Sequence, residues 1–148
     1  MLGQLSPDQI ESLLHNEVIG RIGCNANGIT YIVPITYAYD GRYIYGHSKE
    51  GLKIQLMRTN PMVCFEVDRM ENLANWKSVI VWGKYEELKG DEKKSGLEKL
   101  ISRFAPLMTS ETSIPATGAE AHQNDTGPFK TVIFRIEVKE KSGRFEKR

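Results

Sequence analysis

Alternation of apolar and polar residues dominates the 148-residue chain, and helical spacing interrupts it three times. Ser6-Pro7-Asp8-Gln9 opens the first helix. Ser6 suits the N-cap, Pro7 the first helical position, and Gln9 completes a capping box. Ile10, Leu13 and Leu14 then share one face, and the helix is expected to end near Asn16. Val18–Cys24 reads as a strand, and Asn27-Gly28 is a two-residue hairpin signal. Ile29–Tyr39 is a long β-branched and aromatic run that reads as one strand. Asp40-Gly41 turns it into a third strand, Tyr43–His47. Gly51–Arg58 is a short helix stopped by Asn60-Pro61. Met62–Asp68 is a fourth strand, with Val63, Phe65 and Val67 on one face and Cys64, Glu66 and Asp68 on the other. After the polar connection Glu71–Asn75, Trp76–Leu88 is a long fifth strand. Asp91–Phe104 is a helix with Leu97, Leu100, Ile101 and Phe104 along one stripe; Gly96 inside it is expected to cost about 1 kcal/mol relative to Ala. Ala105–Pro128 carries no periodicity and reads as a loop, long enough to serve as a lid or partner-contacting arm. Phe129–Glu140 is the sixth strand, alternating Val132, Phe134, Ile136 and Val138 against polar neighbours.

Six strands joined mostly by hairpins, with few helices between them, make the fold class mainly β (α+β): an antiparallel barrel or curved sheet with peripheral helices. A doubly wound fold would need more helical crossovers. The length suits a single domain spanning 1–148. Composition changes this picture little. The chain is 40% hydrophobic and 26% charged, with a formal net charge of +1. No global field draws it to nucleic acid or to an anionic membrane. No apolar run approaches the roughly 18 residues that span a bilayer, and the first residues lack the pattern of a secretory signal, so a cytoplasmic location is expected. Cys24 and Cys64 sit in apolar strand-like runs and read as small packed residues rather than reactive thiols. His15, His47 and His122 are far apart and lack zinc-ligand spacing, so no metal is expected.

The chemistry concentrates in Tyr45-Gly46-His47-Ser48-Lys49-Glu50-Gly51-Leu52-Lys53. Two glycines, a hydroxyl, an imidazole and two lysines stand between a strand and a helix N-terminus. Close backbone approach, free N–H groups and positive charge together suit a phosphate. The spacing is neither that of a P-loop nor G-x-G-x-x-G. Arg58 stands at the end of the same helix, where it reads as a surface arginine within reach of a phosphate. Pro34 lies within the second strand, Ile32-Val33-Pro34-Ile35-Thr36. Since proline cannot donate to a ladder, it marks an edge, a bulge, or a gap into which a flat ligand could fit. Trp76, Ser78, Ile80 and Trp82 share one side of the fifth strand by parity. Trp76, at the strand entry, is the ligand-contact candidate, and Trp82 a core or dimer-contact residue. No Ser-His-Asp set or carboxylate pair stands out, which leaves the hard chemistry to a cofactor if the protein is an enzyme.

Val33–Lys53 closely resembles the flavin-binding split-barrel family related to pyridoxamine 5'-phosphate oxidase, in particular its nitroimidazole-resistance-type branch. The blocks Asn60–Asp68, Trp76–Gly83 and Ser142-Gly143-Arg144 extend the resemblance over nearly the whole chain. The resemblance implies a split barrel that forms a homodimer with FMN in clefts between subunits. His47, Ser48 and Lys53 would hold the FMN phosphate. Val33, Pro34, Ile35 and Thr36 would line the isoalloxazine ring. Trp76 and Ser78 would approach from the partner subunit or the cleft wall. The implied activity is an FMN-dependent oxidoreductase acting on a small oxidant, a nitro compound or a quinone. The pyridoxal-phosphate-binding motifs of true pyridoxamine phosphate oxidases are not recognisable. Vitamin B6 oxidation, a non-catalytic flavin store or sensor, and a haem-binding split barrel stand as alternatives.

Overall fold

The computed structural model describes residues 1–107 and 131–148. Most of the Ala105–Pro128 loop, Phe129 and His122 lie outside the described residues. In chain order the elements are β1 (Leu2–Gln4), α1 (Pro7–Asn16), β2 (Ile19–Ala26), β3 (Ile29–Thr36), β4 (Ala38–Tyr39), β5 (Tyr43–Lys49), α2 (Leu52–Thr59), β6 (Met62–Asn72), β7 (Asn75–Glu87), α3 (Gly90–Phe104) with a short 3-10 turn (Ala105–Leu107), and β8 (Thr131–Glu146).

Local chemistry accounts for most boundaries. The capping box at Ser6 and Gln9 forms as the residues predict. Asn27 and Gly28 both take positive φ, 55° and 76°, as a tight two-residue turn between twisted strands requires. Asp40 accepts hydrogen bonds from the backbone N–H groups of Arg42 and Tyr43, fixing the β4–β5 turn.

All pairings are antiparallel, in the order β3-β2-β6-β7-β8-β5-β4, with β1 on β8. The class is therefore mainly β, but with eight described strands instead of the six expected. The run Ile29–Tyr39 is two strands broken at Tyr37. β3 pairs only with β2, and β4 only with β5, so one bent stretch supplies both ends of the sheet and closes it into a barrel. Tyr37 holds the bend: its N–H donates to the Val18 carbonyl, and its buried hydroxyl donates to the Leu14 carbonyl at 2.6 Å. The other added strand, β1, exists because β8 runs on to Glu146, well past Glu140.

Pro34 sits in register opposite Arg21 with no bulge in the β2–β3 ladder. The bulge is thereby excluded: Pro34 stands on an edge strand whose other side is unpaired among the described residues. The main core lies inside the barrel, around Ile22, Phe65, Val67, Val79, Val81, Phe134 and Ile136. A second cluster lies between α3 and the outside of the sheet, around Tyr45, Leu88, Leu100, Phe104 and Ile133. Gly96 faces that cluster. A β-carbon there would stand 2.8 Å from Leu88 Cδ1 and 3.2 Å from Ile133 Cγ2. The glycine that weakens the isolated helix thus lets α3 approach the sheet closely.

Candidate functional site at the barrel split

β4 and β5 pair at only two positions, Ala38 with Tyr45 and Tyr39 with Ile44. Continued in the same register, Thr36 would face His47 and Ile35 would face Ser48. Instead the strands diverge, β3 to β2 and β5 to β8, and share no ladder while remaining near neighbours. This divergence is the split in the barrel. The proline-bearing stretch Val33–Thr36 forms one lip, and Gly46–Lys49 the other. Two groups of candidates separated in sequence therefore stand on either side of one divergence.

α2 closes one end of it. The helix leaves β5, packs on β2, and buries Ile54, Leu56 and Met57. Its N-cap is Gly51, and no side chain caps its first turn. Lys53 lies in that turn, near enough to both His47 on β5 and Cys24 on β2 for their charges to interact. Among the described residues no carboxylate lies within ion-pair distance of Lys53. Burial pulls its pKa down from the ordinary lysine value. The His47 pKa is lowered first by burial and then by the Lys53 charge, while its ring packs edge-on to Phe104, centroids 6.3 Å apart. Ser48 Oγ donates to the Lys49 carbonyl, leaving its oxygen available as an acceptor. A half-buried cation with no carboxylate partner among the described residues, next to N–H groups that no side chain caps, suits an anion. A flavin phosphate fits it on these grounds.

The imidazole has a testable consequence. Its folded pKa lies below the ordinary 6.5, so the unfolded chain takes up the proton first. The associated stability is intact above about pH 6.5 and is lost as pH falls below that value. Between about pH 8 and pH 5 the wild-type apoprotein is expected to lose more of its urea midpoint than His47→Gln. Parallel losses in the two proteins would contradict this.

Arg58 is engaged away from Lys53 and His47. It forks onto Glu50, with Nη1 and Nη2 at 2.9 and 2.7 Å from the two carboxylate oxygens, and its Nε and Nη2 reach Glu87 Oε1 at 3.0 and 2.6 Å. No local spacing reveals this network, because Glu87 arrives from the far end of β7.

Trp76 and Ser78 lie elsewhere. Glu87 pairs with Phe134, which pairs with Gly46, so the last residue of β7 is level with the split. Trp76 is eleven residues back along β7, roughly 35 Å of strand. Its indole donates to Glu146 at 3.1 Å, beside a groove of about 460 Å³ that also borders Leu5, Phe145, Lys77 and Lys147. Within one chain, therefore, Trp76 and Ser78 do not form the wall of the split.

The outer face of the sheet carries an apolar patch. Ile32, Gly23, Cys64 and Trp82 stand in register across β3, β2, β6 and β7. Ile32 is 68% exposed, Met62 55% and Trp82 41%, which makes this face a candidate contact surface. Arg21 lies within it, 3.5 Å from Glu66 and 3.3 Å from Asp68. Burial and the neighbouring Asp68 push the Glu66 carboxyl up to about 7. Among the described residues no cluster of His, Cys, Asp and Glu could hold a metal, and no helix is long and apolar enough to cross a membrane.

With the antiparallel barrel and its split in place, comparison with known proteins decides the family. The family model described as pyridoxamine 5'-phosphate oxidase matches residues 6–145. The chain belongs to this family. An uncharacterised protein of Rhizobium meliloti (strain 1021) is 30% identical over 148 residues, 95% of this chain and 92% of that protein. Among solved structures, an FAD-binding protein from Mesorhizobium loti superposes with TM-score 0.77 at 33% identity, covering 98% of each chain. A Bacteroides thetaiotaomicron protein named for 5-nitroimidazole antibiotic resistance gives TM-score 0.75 at 18% identity, over 98% of this chain and 87% of its own. The first carries both sequence and fold similarity; the second supports the split-barrel fold of the pyridoxamine 5'-phosphate oxidase family.

Proposed function

We propose that this chain is a flavoprotein that holds FMN at the barrel split of a homodimer and reduces a small oxidant, a nitro compound or a quinone. The observation that carries this reading is Lys53, half-buried, with no carboxylate partner among the described residues, beside His47 and the uncapped first turn of α2. In it, Lys53, His47 and Ser48 hold the phosphate. The lip Val33–Thr36 lies along the ring. Trp76 and Ser78, too distant to serve their own chain's site, reach the partner's. The exposed apolar face bearing Ile32, Met62 and Trp82 supplies the dimer contact. Bound flavin would supply the electron transfer, and the residues of this chain would anchor it, orient it and shield it from water. A cytoplasmic setting belongs to the same proposal and agrees with Cys24 and Cys64 being free thiols.

A second reading, FAD in place of FMN, is favoured by the Mesorhizobium loti protein, named as FAD-binding at 33% identity. FAD contains the same ring, ribityl chain and first phosphate, so the anchor would be shared. The purified protein is expected to be yellow and to sediment at twice the chain mass when followed at the flavin's visible absorption. Mass spectrometry of the released flavin separates FMN from FAD. A Soret band, or a colourless preparation that takes up neither flavin, would sink the reading. Consumption of a reduced nicotinamide with a nitroaromatic separates an enzyme from a flavin store.

A further inference from the structure

We propose that Arg58 is a positioning residue for the phosphate site: it aims the first turn of α2 without touching the ligand. The inference rests on the phosphate reading above. α2 has eight residues and a glycine N-cap, so no side-chain cap fixes the direction of its first N–H groups. Arg58, in the last turn, reaches back along the helix and forks onto Glu50, the residue just before that cap. Its other edge meets Glu87 at the end of β7, and Glu87 Oε1 also accepts from the Tyr85 hydroxyl at 3.2 Å. Both ends of α2 are thereby tied to a barrel strand through one guanidinium. Lysine cannot reproduce a planar fork onto two carboxylates.

Stability does not explain the arrangement well. The Arg58 and Glu50 side chains are 39% and 32% exposed, and pairs at such sites contribute little to folding. The location does explain it. The network spans the segment, Glu50 to Lys53, whose backbone and lysine form the anion site. The two carboxylates also have a guanidinium to face, so neither Glu50 nor Glu87 presents an unpaired negative charge near the incoming phosphate.

The test compares FMN with riboflavin, which lacks the phosphate. Dissociation constants for both are measured by flavin fluorescence with wild-type apoprotein, Arg58→Ala, Arg58→Lys and Lys53→Ala. Arg58→Ala is expected to weaken FMN about tenfold, in the range of residues that orient the ligands of a bound ion, and to leave riboflavin nearly unchanged. Arg58→Lys covers the case in which the alanine variant does not fold, and should show an intermediate fall in the FMN preference. A purely structural role would weaken both flavins equally, and that result overturns the proposal. So does an unchanged preference in the arginine variants when Lys53→Ala has lost it. If Lys53→Ala also retains the preference, the phosphate site itself is wrong, and the role of Arg58 falls with it.

Discussion

Lys53→Ala is expected to weaken FMN binding by about 1.5–3 kcal/mol, the range for a hydrogen bond to a charged group and roughly ten- to a hundredfold in affinity. The sign and size follow from what surrounds the amine. Lys53 is half-buried and has no carboxylate partner among the described residues, and burial already pulls its pKa down. Its charge is thus held at some cost in the empty protein, and a bound phosphate would offset that cost. Truncation strands no buried carboxylate. The apoprotein should therefore keep its urea midpoint or gain slightly, as expected where a site trades stability for binding. Fluorescence titration and denaturation of the same sample check both halves. Unchanged affinity would remove Lys53 from the site. A large loss of stability would show that it supports the fold instead.

Elements built from short-range chemistry could be read directly from the chain. The Ser6 capping box, the Asn27-Gly28 turn and the Asp40 turn each need only neighbours within a few residues, and each forms as expected. The alternation Val132, Phe134, Ile136, Val138 also placed its inward face correctly. What the pattern hid depends on partners distant in sequence. Ile29–Tyr39 is β-branched and aromatic throughout, so no residue signals the break at Tyr37. The break arises because the two halves pair with different strands. Gly96 is unfavourable by helix propensity, and its use appears only when Leu88 and Ile133 are seen against it. His47 and Ser48 could be grouped as anion-site candidates from composition, and Val33–Thr36 as ligand-lining candidates from Pro34. That the two stretches lie on either side of one divergence follows from the β4–β5 register. The network through Glu50, Arg58 and Glu87 requires β7 to end beside the split. The distance of Trp76 and Ser78 from it requires the strand to run antiparallel on β8 for its whole length.

Phe65→Ala is expected to destabilise the apoprotein by about 3–5 kcal/mol, the usual cost of emptying a buried phenylalanine site. Phe65 has no exposed surface and meets Tyr37 edge-on, with ring centroids 4.9 Å apart. Its ring tip also occupies the space over Gly20, where a β-carbon would stand 2.2 Å from Cζ. The site is therefore shaped on two sides. Tyr37 is tied by its hydroxyl to α1 and by its backbone to Val18, and Gly20 has no side chain that could move in to fill the void. Limited collapse places the loss toward the upper end of the range. That is a large share of the roughly 5–15 kcal/mol that holds a typical domain folded. Urea denaturation at one fixed protein concentration keeps any association out of the comparison. A loss below about 1 kcal/mol would mean that the neighbours repack easily. The effect should also extend beyond stability. Tyr37 is the hinge at which β3 leaves β4, and its ring rests on Phe65, so the same substitution loosens one side of the split. In the portion of Phe65→Ala that remains folded, FMN and riboflavin should both bind more weakly, because on the proposed reading the lip would support the ring and not the phosphate. That pattern is the opposite of the phosphate-selective loss expected at Arg58, and it separates damage to the lip from damage to the anchor.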